Sequence, residues 1–141
     1  MLSLVYAATC AGLFAGAALF VSAVQHPARI SRGAEFAVKE FVASYPRAAV
    51  MQSILAVIGT ATGLWSAWLR HDAWLALAAI LLASAIPFTL LVILPTNKRL
   101  LDPSLDPRGQ EAPGLLARWG HLHAARTAAG VIAFAIFLAR F

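Results

Sequence analysis

Four apolar segments separated by shorter polar ones run along the chain, and this pattern predicts a membrane protein. The segments cover about residues 2–24, 47–69, 73–96 and 115–140. The 22 residues from Ala73 to Leu94 carry no charge, and at about 1.5 Å per helical residue they match the hydrocarbon thickness of a bilayer. We therefore predict an all-α fold: a single domain, residues 1–141, in which four helices form an antiparallel transmembrane bundle.

The polar segment between the first two spans carries a helical pattern of its own. Pro27 is expected to end the first helix, because proline lacks an N–H donor and its ring clashes with the preceding turn. Val38, Phe41 and Tyr45 then recur at helical spacing. This pattern predicts a short amphipathic helix, from about Ala34 to Ser44, that lies in the membrane interface between the two spans.

Composition supports the membrane prediction and excludes other classes. Hydrophobic residues make up 61% of the 141 residues and charged residues only 12%, whereas soluble domains carry about 25% charged residues. The formal net charge of +5 fits loops that lie beside anionic lipids. No cluster of basic residues indicates nucleic-acid binding. The single cysteine, Cys10, cannot form an intrachain disulfide.

Glycines recur four residues apart in the first two spans. Gly12 and Gly16 lie in the first span, and Gly59 and Gly63 lie in the second. Such stripes of small residues let the backbones of neighbouring helices approach closely. They predict either close packing within the chain or a homo-oligomer formed through the same faces.

The distribution of cations predicts the orientation in the membrane. Eight Lys and Arg residues lie in or beside the first and third loops, and two lie at the opposite end. The eight are Arg29, Arg32, Lys39, Arg47, Lys98, Arg99, Arg108 and Arg118, and the two are Arg70 and Arg140. Because cytoplasmic loops carry an excess of cations, we predict a multi-pass protein of the cell (inner) membrane. Its first and third loops face the cytoplasm, and both termini are extracytoplasmic.

Polar side chains collect at the end of the predicted bundle that carries the first and third loops. Trp119, His123 and Arg126 fall on one face of the fourth span, since an α-helix turns by about 100° per residue. Four further polar side chains come from the ends of the other spans: His26, Tyr45, Asn97 and Lys98. We predict that these seven residues form one site.

Arg126 is the most informative of them because of its depth. It follows Trp119 by seven residues, which places it about 10 Å deeper along the helix axis. An arginine at such a position costs about 2–3 kcal/mol on membrane-insertion scales unless a partner compensates. All six acidic residues lie in loops or at span edges. Either a loop acid folds inward, or freed backbone carbonyls solvate the cation, or Arg126 binds an anionic ligand.

The chain resembles the anthrone oxygenase-like family of small four-helix membrane proteins in three motifs. They are the string LPTNKRL at residues 94–100, the string HPAR at residues 26–29 after a glycine-rich span, and Trp119-x3-His123-x2-Arg126. The resemblance covers nearly the whole chain. It implies, from characterised fungal relatives, the oxidation of anthrones to anthraquinones with dioxygen. Relatives often carry an acid where this chain has Gln25, so no carboxylate role carries over to that position.

The candidate residues suit such chemistry. An anthrone is flat, apolar and weakly acidic at its methylene carbon, so a base can generate a carbanion that reduces dioxygen without a cofactor. His123 is the candidate base, because the unperturbed pKa of histidine lies near neutrality. Arg126 and Lys98 would stabilise the developing oxyanion. We therefore predict no cofactor and no metal among the requirements of the site.

The remaining candidates are expected to bind the substrate. Trp119 would stack on its rings, Asn97 and Tyr45 would orient its oxygen atoms, and His26 would complete the pocket. The expected partners are the lipid bilayer and a flat aromatic, phenolic or quinone ligand.

Three other functions are compatible with the same residues. A metal or haem could bind through His26 and His123, although no carboxylate or cysteine completes a ligand set. A quinone or lipid could occupy the site without turnover. A transporter or channel is disfavoured, because the other half of the predicted bundle offers no polar path.

Overall fold

The computed structural model describes all 141 residues and contains four long helices. They are α1 (Leu2–Ser31), α2 (Ala34–Arg70), α3 (Ala73–Leu100) and α4 (Glu111–Ala139). All four are long and apolar enough to cross a membrane. The structure therefore confirms the predicted all-α four-helix bundle, which fits a multi-pass membrane protein.

Each helix packs against its two neighbours in the bundle: α1 and α3 both pack against α2 and α4. The connections after α1 and α3 lie at one end, here called the loop end. The α2–α3 turn and both termini lie at the other, here called the terminal end. There His71, with φ of 50°, ends α2, and Asp72 accepts the Trp74 N–H at 2.9 Å. Asp72 also forms an ion pair with Arg140 at 2.7 Å, which ties the end of α4 to this turn.

Pro27 does not end α1, contrary to the sequence prediction. A π-helical turn, Val21–Gln25, precedes it, and the His26 N–H bonds to the Val21 carbonyl. The change from i−4 to i−5 bonding accommodates a residue that lacks an N–H donor and whose ring needs room in the preceding turn. The helix consequently continues to Ser31.

The same arrangement occurs in α3. A π-helical turn, Thr89–Ile93, precedes Pro95, and the Leu94 N–H bonds to the Thr89 carbonyl. The helix then continues to Leu100. Each π-helical turn thus carries a helix past a proline, and in each case polar side chains follow within one turn, His26 in α1 and Asn97 in α3.

The predicted interfacial helix is not a separate element. Its residues form the first turns of α2, which runs unbroken from Ala34 to Arg70. Val38 and Phe41 are buried in a cluster that includes Leu116 of α4. The amphipathic face is therefore covered by the protein itself rather than by lipid headgroups. The helix α4 likewise begins earlier than predicted, at Glu111.

Glycines let α2 approach its neighbours near the terminal end. A Cβ on Gly59 would lie 2.7 Å from the Leu82 side chain, and one on Gly63 would lie 2.7 Å from Phe137. Both distances are too short for a side chain, so these positions require glycine at the observed spacing. This stripe of small residues therefore packs within the chain.

Two hydrophobic clusters fill the bundle. The larger one lies toward the terminal end and includes Phe14, Leu75, Leu82 and Phe137. The smaller one lies at the loop end and includes Phe41, Leu100, Leu116 and Trp119. Side chains from both clusters border the cavity described next.

Candidate functional site

A cavity that is partly open to the outside lies between the two clusters, and all four helices contribute to its wall. The cavity exists because α2 presents mainly small side chains to it: Ser44, Ala48, Ala49, Ser53 and Ala56.

Four of the seven predicted site residues line this cavity: Tyr45, Trp119, His123 and Arg126. Two others, His26 and Asn97, are buried directly behind the wall and contact its residues. The predicted Lys98 is separate from this group. Its side chain is exposed and does not border the cavity. The structure thus brings six of the seven together and places Lys98 apart from them.

Trp119 stands at the centre of the polar group. Its ring stacks on His123, with centroids 4.6 Å apart and 22° between the planes. His26 packs against it at 5.1 Å and donates its Nε2–H to the Leu116 carbonyl at 3.0 Å. Gly120 makes this packing possible, because a Cβ there would lie 2.6 Å from His26 Nε2.

Asn97 links Trp119 to Tyr45 in a direction that the donors determine. The Trp119 Nε1–H can only donate, and it meets Asn97 Oδ1 at 2.8 Å. Asn97 Nδ2 then donates to the Tyr45 hydroxyl oxygen at 2.6 Å. Because that oxygen is the acceptor, the Tyr45 O–H remains available to donate to a ligand in the cavity.

A chain of hydrogen bonds likewise assigns the tautomer of His123. The Thr127 hydroxyl donates to the His123 backbone carbonyl at 2.9 Å, so the Ser22 hydroxyl donates to Thr127 Oγ1 at 2.9 Å. Ser22 Oγ then accepts the His123 Nδ1–H at 2.9 Å. His123 Nε2 keeps its lone pair and lies 3.3 Å from Arg126 Nη2, which can only donate. The imidazole is therefore held as a neutral base beside a cation.

Arg126 is surrounded by neutral polar groups. It donates to Thr89 Oγ1 at 3.2 Å and to Gln52 Oε1, and its guanidinium carbon lies 5.5 Å from the centre of the Phe14 ring. Its Nε is buried and has no partner. The cation is thus hydrogen-bonded but not neutralised.

No loop acid folds inward to Arg126. None of the ion pairs in the structure includes it. Asp102 and Glu111 instead pair with Arg99, at 3.0 Å and 2.7 Å. The Ser104 backbone N–H and hydroxyl, together with Arg99, hold the pKa of Asp102 below its usual range. Of the three sequence alternatives, inward folding of a loop acid is therefore wrong.

Arg29 is a cavity residue that the sequence reasoning missed. The sequence placed Arg29 among the loop cations. In the structure its side chain is only 4% exposed and borders the cavity. Its guanidinium carbon lies 5.3 Å from the centre of the Trp119 ring, and its Nη1 lies 2.9 Å from Glu40 Oε2. Glu40 also accepts Gln25 Nε2–H at 2.6 Å. Arg29 follows His26 by three residues, a spacing that places two residues on one face of a helix. The sequence would have indicated this shared face if the helix had been expected to continue past Pro27.

The potential metal ligands in this region are dispersed. No group of three or more His, Cys, Asp or Glu residues is arranged to hold a metal ion. His26 Nε2 is engaged by the Leu116 carbonyl, and His123 Nδ1 is engaged by Ser22.

Comparisons with known proteins identify one family. The family model described as anthrone oxygenase matches residues 41–136, about two thirds of the chain. The anthrone oxygenase ptaC of Pestalotiopsis fici is 38% identical over 69 residues, which cover 41% of this chain and 49% of that protein. The chain thus spans about half the length of the curated relative that it matches. No solved structure matches the chain.

Proposed function

The chain belongs to the anthrone oxygenase family, and we propose that it oxidises an anthrone- or phenol-like aromatic with dioxygen in the cavity between the two hydrophobic clusters, without a cofactor. The observation that carries this proposal is the pairing of the His123 Nε2 lone pair with the Arg126 guanidinium at 3.3 Å. A base beside an unneutralised cation favours the formation of an anion in a low-dielectric site.

The reaction begins with His123. Its Nε2 takes a proton from the methylene carbon of the substrate, and the electron pair delocalises onto a ring oxygen. The carbanion adds to dioxygen, and protonation gives a hydroperoxide on the same carbon. Loss of the second hydrogen from that carbon, with cleavage of the O–O bond, forms a carbonyl group and releases water. One dioxygen is consumed and one water is formed for each methylene oxidised.

The neighbours of His123 have distinct parts in this scheme. Arg126 contacts the base itself, so it stabilises the peroxide that forms on the carbon from which His123 removed the proton. The Tyr45 O–H donates to a substrate oxygen. Trp119 takes a different part from the predicted one: because His123 stacks on it, it positions the base rather than serving mainly as a stacking surface for the substrate.

The test is oxygen uptake by the purified protein in detergent with anthrone as the probe. Because anthrones autoxidise, the rate is measured above a blank of detergent and heat-denatured protein. We expect equimolar consumption of oxygen and formation of quinone, unaffected by metal chelators. Uptake no faster than the blank would favour a non-catalytic binder, and uptake abolished by chelators would favour a metal centre.

We also propose that the loop end faces the cytoplasm. The proposal is supported by the excess of cations at that end, which the fold keeps together: Lys39 and Arg47 on α2, and Lys98 and Arg99 on α3. A reporter that is active only in the cytoplasm is expected to be silent at the C-terminus and active when inserted in residues 102–110. The opposite pattern would show that the charge bias does not set the orientation.

A further inference from the structure

We propose that Arg29 is a second ligand-binding group of the cavity and donates to a ring oxygen on the far side of the substrate from the reacting carbon. This inference rests on the proposed function for the identity of the reacting carbon.

The first support is the unused hydrogen-bonding capacity of Arg29. Its side chain is 3% exposed and borders the cavity. A guanidinium carries five N–H donors, and the carboxylate within reach is that of Glu40, at 2.9 Å from Nη1. Its Nε is buried without a partner. An unpaired buried donor lowers the stability of the folded protein, so a ligand oxygen in the cavity that accepts a hydrogen bond from Arg29 would remove this cost.

The second support is the difference in charge between the two arginines. Glu40 neutralises Arg29, whereas no carboxylate pairs with Arg126. Gln25 donates to Glu40 and so fixes the orientation of the carboxylate. Arg29 is therefore suited to donate to a neutral oxygen that gains charge only during the reaction. Arg126 is suited to bind a group that carries a full negative charge.

The third support is the position of both cations against the Trp119–His123 stack. Arg29 lies against Trp119 at 5.3 Å, and Arg126 lies against His123 at 3.3 Å. Both arginines border the same cavity, so we expect a flat ligand beside this stack to contact both. An anthrone has its carbonyl oxygen and its methylene carbon on opposite edges of the central ring. With the methylene at His123 and Arg126, the carbonyl lies at Arg29, which replaces Lys98 as the donor to the oxyanion.

Binding of two matched probes tests this assignment. Anthraquinone carries carbonyl groups on both edges of its central ring, and anthracene has the same rings without oxygen. Dissociation constants are measured by quenching of tryptophan fluorescence in detergent. The variant is Arg29→Met/Glu40→Gln, which removes both charges so that neither is left buried alone. We expect it to weaken anthraquinone binding by about tenfold or more and to leave anthracene binding unchanged. Equal effects on both probes, or none, would overturn the proposal.

Infrared spectroscopy of anthraquinone bound to the unmodified protein decides the matter if the double variant does not fold. Hydrogen bonding lowers the stretching frequency of a carbonyl group. With Tyr45→Phe as a control that removes the phenol donor, both carbonyl bands are expected to stay lowered. A band at the unbonded frequency would contradict the assignment of Arg29. Neither readout needs turnover, so binding through Arg29 without oxygen uptake would refute the oxygenase function alone.

Discussion

Replacement of His123 by alanine is expected to lower anthrone-dependent oxygen uptake by about 10²- to 10⁴-fold, the range that a positioned general base contributes. The reason is geometric. His123 is 4% exposed, and its Nδ1–H is engaged by Ser22, so the lone pair on Nε2 is held at the cavity wall. The measurement is the initial rate of oxygen uptake at saturating substrate, corrected for autoxidation.

His121 provides the matched control for this prediction. It lies on the same helix but is exposed to the outside of the bundle, as the helical spacing predicts. His121→Ala is expected to retain the unmodified rate. Thermal unfolding of both variants checks that the bundle stays folded, since His123→Ala also removes the donor to Ser22. A folded His123→Ala variant with the full rate would exclude His123 as the base.

The fold was predictable because the bilayer imposes a simple pattern on the sequence. Apolar stretches of sufficient length mark the helices, and the face that carries Trp119, His123 and Arg126 follows from helical periodicity alone. Local rules failed where the tertiary structure overrides them. Pro27 is a helix breaker in isolation, but a π-helical turn before it keeps α1 intact. Arg29 was therefore predicted in a loop, whereas it borders the cavity.

Register explains why Asn97 lies with the other predicted site residues and Lys98 does not. Adjacent residues on a helix point about 100° apart, so Asn97 and Lys98 have different surroundings. The π-helical turn Thr89–Ile93 shifts the register of every residue after it, and the sequence does not show where such a turn is inserted. In the structure, Asn97 is buried and Lys98 is exposed.

Hydrogen-bond partners that are distant in the sequence could not be predicted, for a different reason. Gln52 is an amide in the middle of an apolar span, and a polar residue at such depth is itself a functional signal. Its partner, Arg126, is 74 positions away, and Ser22 is 101 positions from His123. Helical periodicity gives the face of each helix but not the depth at which two faces meet.

The variant Arg126→Met/Gln52→Leu is expected to preserve or raise the thermal stability of the ligand-free protein and to lose stabilisation by a quinol or phenolate. Arg126 is a largely buried cation without a carboxylate partner, and replacing such a charge with an apolar side chain is often neutral or stabilising. Gln52, 3% exposed, is replaced as well. Its carbonyl would otherwise lose its donor, at a cost of about 1–3 kcal/mol.

Thermal unfolding in detergent, with and without ligand, measures both effects. Ligand at a hundredfold excess over its dissociation constant stabilises the folded state by about 2.7 kcal/mol. We expect this increment in the unmodified protein and in Arg118→Met, and none in the double variant. Arg118 is the matched control, because it is exposed on the same helix and its loss changes the net charge by the same amount.

The stability of the ligand-free double variant and its response to ligand together distinguish two roles for a membrane-embedded arginine. A structural arginine holds helices together through Thr89 and Gln52, so removing both members of the Arg126–Gln52 pair would lower the melting temperature with or without ligand. An arginine that awaits an anion imposes its cost on the empty protein and recovers it when the anion binds beside it. Marked destabilisation of the empty double variant would therefore assign Arg126 to the architecture of the bundle. The proposed oxygenase would then lack its anion-stabilising group, and a base at His123 alone would not sustain the reaction.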